Sequence, residues 1–181
     1  MITLGFVSEF NIDRSTSEAI NELLQSCFPE IDYKGADYFK QLPHYRIIAK
    51  ENDTIIGQLG IDFRAMNLNG EAIHVFGVVA LCVAAAHRGK KVGVKMLQEF
   101  ERIAQQNAQK IDYLFLVTDT PSYYEKLGYT TTAIETTWLK VHEHKNYGLA
   151  TEKINDAAFM FKAISDKKWQ DGQLDLLGHM Y

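Results

Sequence analysis

The chain has 181 residues, 46% of them hydrophobic, and a formal net charge of −4 at pH 7. That length fits one domain, expected over residues 1–181, with enough apolar residues for a sizeable core. The acidic balance argues against broad nucleic-acid binding, which needs a basic face. The sequence has no long apolar run and no basic leader, so we expect no membrane span, no signal peptide and a cytoplasmic location.

In chain order, residues 3–7 read as a first strand. Ser15-Thr16-Ser17-Glu18 has the capping-box pattern, a hydroxyl followed by a carboxylate three residues on. Ile20, Leu23, Leu24 and Cys27 then give a short helix one apolar face, with Pro29 beyond its end. Residues 37–42 form a candidate second helix, followed by Pro43. Residues 46–50 read as a strand, residues 51–53 as a turn, and residues 54–62 as another strand with Gly57 and Gly60 as candidate bulges. Asn69-Gly70 is the strongest hairpin signal in the chain. It joins a strand ending near Asn67 to one starting near Glu71.

The second arm runs into an unbroken apolar stretch, residues 78–83, which reads as a strand buried on both faces. A basic turn follows, His87-Arg88-Gly89-Lys90-Lys91-Val92-Gly93. Val92, Met96, Leu97, Phe100, Ile103 and Ala104 then fall on one helical face, and residues 113–117 are again apolar. Strand, crossover helix and strand make a βαβ unit, expected to be right-handed. Residues 130–141 are rich in β-branched residues and read as strand, residues 142–148 as loop, residues 156–165 as a short helix, and the tail after Trp169 as a last strand. The two cysteines, Cys27 and Cys82, lie in apolar surroundings and read as small core residues rather than ligands or a disulfide frame.

The turn at Arg88 is where chemistry enters. The first N–H groups of a helix lack intrahelical partners, and its dipole makes that end positive, so phosphate is a natural guest. Gly89 and Gly93 allow close backbone approach, and Arg88, Lys90 and Lys91 add positive charge. The alternative is a solvated basic turn. A Walker loop and a dinucleotide fingerprint are both absent from the sequence.

Leu81-x-Val83 followed after a gap by Arg88-Gly89-x-x-Val92-Gly93 resembles motif A of the GNAT acetyltransferases, in which Arg or Gln is followed by two residues, Gly, one residue, then Gly or Ala. Arg88 takes the first place and Gly93 the last, while Lys91 stands where the family usually has the middle Gly. Tyr123-Tyr124-Glu125-Lys126-Leu127-Gly128-Tyr129 resembles the family's second signature. The resemblance spans about residues 47–141. The tail from Trp169 to Gly178 and Gly57-Gln58-Leu59-Gly60-Ile61-Asp62 also resemble the aminoglycoside 2′-N-acetyltransferase and nodulation N-acyltransferase branch.

The resemblance implies an α/β fold with a mixed sheet, antiparallel strands leading into a splayed parallel pair around the central βαβ unit. It implies acetyl-CoA as co-substrate and no metal. Leu81, Cys82, Val83, Ala84, Arg88, Gly89, Lys90, Lys91, Val92, Gly93 and Val94 become the candidate CoA-binding residues. The backbone at Cys82, Val83 and Ala84 would serve the oxyanion and the pantetheine amides. Tyr124 would protonate the leaving thiolate, a role its residue type suits because a phenol is protonated at neutral pH.

The base is open. The strand positions where several relatives carry Glu are Gly77 and Val79 here, and neither can take a proton. His74, Asp119, Asp62, Glu71 and a terminal carboxylate at Tyr181 are the candidates, with His74 and Asp119 put forward. His74 has a suitable intrinsic titration range. Each has a structural alternative: a strand histidine bonded to a neighbour, or an N-cap for the helix at Pro121. His142 and His144 are too weak a spacing for a metal site. The expected partner is a small-molecule primary amine, with no nucleic acid and no membrane; the resemblance also allows a homodimer. The competing readings are a longer acyl donor and a non-catalytic acyl-CoA-binding regulatory module.

Overall fold

The computed structural model describes residues 1–154 and 158–181. The chain divides into two compact units: Met1–Asp62 with Val79–Ile103, and Phe63–Val78 with Ala104–Tyr181. Two long strands, β3 (Thr54–Leu68) and β4 (Glu71–Val83), pass through both.

In the first unit β1 (Ile2–Ser8) pairs antiparallel with β2 (Tyr45–Glu51), which pairs antiparallel with β3. Helix α1 (Arg14–Cys27) buries Ile20, Leu23 and Leu24, which cluster with Tyr33, Ile48 and Cys82. The helix begins earlier than the Ser15 capping pattern suggests. Asp13 is the N-cap, and its carboxylate accepts from the Thr16 N–H at 2.7 Å. An ionised carboxylate is the stronger acceptor for that N–H, and Glu18 instead pairs with Arg14 at 2.8 Å. Residues 37–42 form bends and irregular chain, not the expected helix. One of its backbone groups is committed elsewhere: the Asp37 carbonyl accepts from buried Arg46.

Asn52 and Asp53, both with positive φ, turn β2 into β3. The register between these strands shifts next to Gly57, whereas Gly60 pairs regularly with Arg46, so only the first expected bulge forms. Both glycines are still needed for closeness. A Cβ on Gly57 would meet Met96 Cε at 3.0 Å, and one on Gly60 would lie 3.0 Å from the Val79 carbonyl. Helix α2 (Val92–Gln106) buries the face read from its sequence: Val92, Met96, Leu97, Phe100, Ile103 and Ala104.

In the second unit the strand order is β6-β9-β5-β4-β3-β10-β7-β8. Here β5 is Tyr113–Thr118, β6 Thr130–Thr132, β7 Glu135–His142, β8 Lys145–Lys153, β9 Ala158–Ala163 and β10 Gln173–His179. Asn69 and Gly70 form the expected hairpin turn, with φ of 54° and 90°. The β4–β5 pairing is parallel, from Val75↔Tyr113 to Gly77↔Phe115. The sheet is therefore mixed, as expected.

Three readings need correction in this unit. The span 130–141 is two strands, because the chain leaves β6 at Ala133 and Ile134, the latter buried in the core, and re-enters pairing in β7. Residues 142–148 are no loop: β7 and β8 form a tight hairpin turned by Glu143 and His144, both with positive φ. Within 156–165, Ala158–Ala163 is strand β9, pairing antiparallel with β5 and β6; Asp156 and Ala157 lie outside the described residues. Backbone pairing on both sides overrides a pattern that periodicity alone cannot assign. Phe161 stacks on Trp169 at 4.2 Å between centroids, and Trp169 meets Tyr113 edge-on at 5.3 Å.

The apolar stretch of β4 also differs from expectation. Val78 and Cys82 are buried, but Val79, Ala80, Leu81 and Val83 are only partly covered. No helix among the described residues is long and apolar enough to cross a membrane.

Candidate active site

In the first unit a 3-10 turn, Ala85–His87, leads from β4 to Arg88-Gly89-Lys90-Lys91, all exposed. Gly89 (φ 76°) and Lys91 (φ 61°) both occupy the left-handed region. That region favours glycine, which is why a family pattern with Gly at the Lys91 position suits this backbone. The Lys91 carbonyl accepts from Lys95 N–H at 3.0 Å, so helical bonding begins there. Val92, Gly93 and Val94 then supply the N-terminal N–H groups that a helix cannot pair internally. A Cβ at Gly89 would meet nothing within 4 Å. An exposed basic turn with two left-handed residues and open space beside it fits a diphosphate.

The end of β4 is shaped by a feature the sequence hides. Ala80 has a φ of 47°, and its carbonyl accepts from Gln58 Nε2. Gln58 in turn takes a bond from Arg46 Nη1 at 3.1 Å. Arg46 is 1% exposed and is held by Glu9 at 2.6 Å and Asp37 at 3.5 Å. A buried charge needs such complete pairing. Leu81, the first of the candidate CoA-binding residues, is half-buried beside this distortion.

Further along, the Ala84 N–H donates to Ile56 O at 2.8 Å. The Val83 carbonyl accepts from Arg88 Nε at 3.1 Å and from Cys27 Sγ at 3.5 Å. These bonds tie the strand end, the basic turn and the last residue of α1 together. Both cysteines are free thiols, Cys82 buried and Cys27 partly exposed, and they pack in the α1 core as expected. They are not equivalent. The neighbouring Cys82 thiol, followed by the Arg88 guanidinium, holds Cys27 well below the usual thiol value, against the opposing effect of burial. Cys82 is pushed up by its contact with Cys27 and by burial.

Also in this unit, His44 Nδ1 lies 3.0 Å from Asp62 Oδ1. The sequence offers Asp62 as a candidate base, whereas His44, eighteen positions away in a segment without a motif, carries no signal of its own. Only the strand pairing of β2 and β3 could have joined them.

The second unit carries Tyr124 in the short helix α3 (Pro121–Glu125). Its ring is half-buried, edge-on to Tyr123 at 5.0 Å and to Tyr129 at 5.8 Å. Its carbonyl accepts from Leu127 and Tyr129 N–H at 2.9 and 3.2 Å, closing the turn that Gly128 (φ 85°) permits. Burial, then Tyr123 and Asp119, pushes the phenol up to about 12. Asp119 is exposed and near enough to contribute to that shift, but it is not the helix cap. The cap position is Thr120, which makes no side-chain cap bond. His74 is exposed on β4, and its backbone N–H, not its ring, donates to Asp112 Oδ2 at 2.9 Å. Glu71 is exposed at the start of the same strand. The Tyr181 ring lies under the Arg64 guanidinium, 4.7 Å from its centre, and 5.8 Å from Phe115. Among the described residues no group of three or more His, Cys, Asp or Glu could hold a metal.

A mixed sheet with a crossover helix that opens on a basic glycine turn defines a class of acyl-CoA-dependent N-acyltransferases. A family model for an acetyltransferase (GNAT) domain matches residues 11–132, and the chain belongs to that family. Among solved structures, Escherichia coli ElaA is 15% identical over 90% of this chain and 99% of its own, with a TM-score of 0.62. The E. coli GNAT family N-acetyltransferase YhbS, in complex with CoA, is 14% identical over 97% and 88%, with a TM-score of 0.61. An acyl-CoA N-acyltransferase from Pseudomonas aeruginosa is 12% identical over 90% and 100%, with a TM-score of 0.62. At these identities the likeness is one of fold. No curated protein sequence matches the chain.

Proposed function

We propose that this chain transfers an acetyl group from acetyl-CoA to a primary amine of a small molecule by direct attack. The observation that carries this reading is the Arg88–Lys91 turn, left-handed at Gly89 and Lys91 and placed at the start of α2. Its exposed cations and the first N–H groups of α2 would hold the diphosphate of CoA. CoA, when bound, supplies an acyl group activated as a thioester.

The chain's residues divide the remaining work. Backbone groups of Cys82, Val83 and Ala84 serve the pantetheine and the charge that develops on the acyl oxygen. The Ala84 N–H and Val83 carbonyl already bonded within the protein fix the strand rather than the ligand. Tyr124 holds a proton at any working pH, because its phenol is raised to about 12. Its O–H donates to the departing thiolate, a bond that strengthens as charge builds on sulfur. The net charge of −4 suits a cationic acceptor.

The test is release of CoA thiol from acetyl-CoA with a panel of primary amines, read together with a mass gain on the amine. Turnover with at least one amine is expected. Binding of acetyl-CoA without turnover across a broad panel would contradict the reading and favour a binding module.

A further inference from the structure

The reaction needs a group to take a proton from the amine, and the β4 positions expected to supply one, Gly77 and Val79, carry no titratable side chain. The first unit holds an arrangement that can. Asp62, on β3, is buried with 8% of its side chain exposed, whereas the His44 side chain facing it is 53% exposed. A carboxylate only accepts, so the 3.0 Å contact makes Nδ1 the donor and puts the lone pair of a neutral imidazole on Nε2. An oriented imidazole backed by a buried carboxylate can accept a proton and stabilise the cation that results.

Its backbone is fixed on both sides. The His44 N–H donates to Ile61 O at 2.8 Å, and its carbonyl accepts from Glu9 N–H at 3.0 Å. Its position is also set against β4. A Cβ on Gly60 would lie 3.3 Å from Pro43 Cβ and 3.3 Å from Val79 Cβ, so the residue before His44 and Val79 of β4 border the same point beside Gly60. Arg46, two residues further along in β2, is held by Glu9 and Asp37.

We infer that His44 is the general base for the acceptor amine and that Asp62 is its positioning residue. This role rests on the acyl-transfer reading. The ammonium form of the acceptor gives one proton to His44 Nε2. The amine lone pair then forms the C–N bond, and the C–S bonding pair leaves on sulfur. Tyr124 gives that sulfur its proton, the second proton shed by nitrogen restores Tyr124 through solvent, and His44 returns its own to water.

The experiment measures thiol release by wild type, His44→Gln, His44→Ala and Asp62→Asn with two acceptors: an alkylamine, protonated at neutral pH, and hydroxylamine, already neutral there. His44→Gln should lower kcat/KM for the alkylamine by roughly 10²–10⁴ and for hydroxylamine much less. Added imidazole should restore part of the His44→Ala activity. Asp62→Asn should lower kcat for the alkylamine by about tenfold or more with KM steady. Equal loss on both acceptors without imidazole rescue would overturn the role, as would wild-type rates in His44→Gln. If the His44 variants do not fold, an unchanged kcat in Asp62→Asn overturns it. Wild type that binds acetyl-CoA but acylates no amine would sink the acyl-transfer reading and this role together; wild-type turnover matched by His44→Gln sinks the role alone.

Discussion

The Tyr181 ring occupies the space that a side chain at Gly77 would need: a Cβ there would lie 2.1 Å from Tyr181 Cζ. The ring is also covered by Arg64, whose Nη1 donates to His179 O at 2.8 Å. Gly77→Ala should therefore displace the ring and destabilise by about 1–3 kcal/mol, the usual cost of overpacking. Tyr181→Ala in the same background should not add its full separate cost, because the two changes act on one contact. Denaturant melts of both singles and the double check this, and strict additivity would contradict it.

Asp112 gives the acid stability a specific source. Burial would raise its carboxyl, but the His74 N–H, Lys167 and Ser165 together outweigh burial and lower it. Lys167 Nζ lies 2.9 Å and Ser165 Oγ 3.0 Å from its oxygens. A carboxyl lowered on folding stabilises above its unfolded value near 3.9, and that contribution is lost as pH falls through the folded value. Asp112→Ala should be less stable than wild type at pH 7, and the difference should shrink steadily below about pH 4. Melting temperatures across that range decide it; a constant difference would contradict the assignment.

Cys27 should react with iodoacetamide near neutral pH, where an ordinary thiol is mostly protonated and slow. Cys82, buried and raised, should not. Arg88→Ala or Cys82→Ser should slow Cys27 alkylation at pH 7, because each removes a group that favours its thiolate. Peptide mass mapping against pH reads both effects. Preferential labelling of Cys82 would contradict the account.

Lys91→Gly tests the diphosphate turn. The substitution removes a side chain from a left-handed residue, which costs a non-glycine residue about 1–2 kcal/mol, and so should not lower the melting temperature. CoA affinity should stay within about tenfold, since lost charge and closer backbone approach oppose each other. A much larger loss by calorimetry would make the Lys91 ammonium a principal phosphate ligand.

The βαβ unit, the Asn69-Gly70 hairpin and the basic turn were legible because each is a local signal. Helix α2 declared its face through Val92, Met96, Phe100 and Ile103, and all four are buried. Strand β9 was not legible, since Phe159, Met160 and Phe161 satisfy a helical reading until β5 and β6 pair with them. The same holds at the candidate site. Arg88 and Tyr124 sit in contiguous motifs. The His44–Asp62 pair, the Cys27–Cys82 contact and the buried Arg46 network join residues far apart in sequence, and their partners emerge only when strands and helices are placed.

Tyr124→Phe removes a hydroxyl and keeps the ring, so its edge-on contacts with Tyr123 and Tyr129 should survive. Steady-state thiol release by wild type and Tyr124→Phe on one accepted amine, with melting temperatures matched, is the most direct measurement. The account predicts a fall of roughly 10²–10⁴ in kcat and in kcat/KM alike, with KM steady, as expected for an interaction made mainly in the transition state. Equal turnover in the two proteins would contradict it and remove Tyr124 from the mechanism.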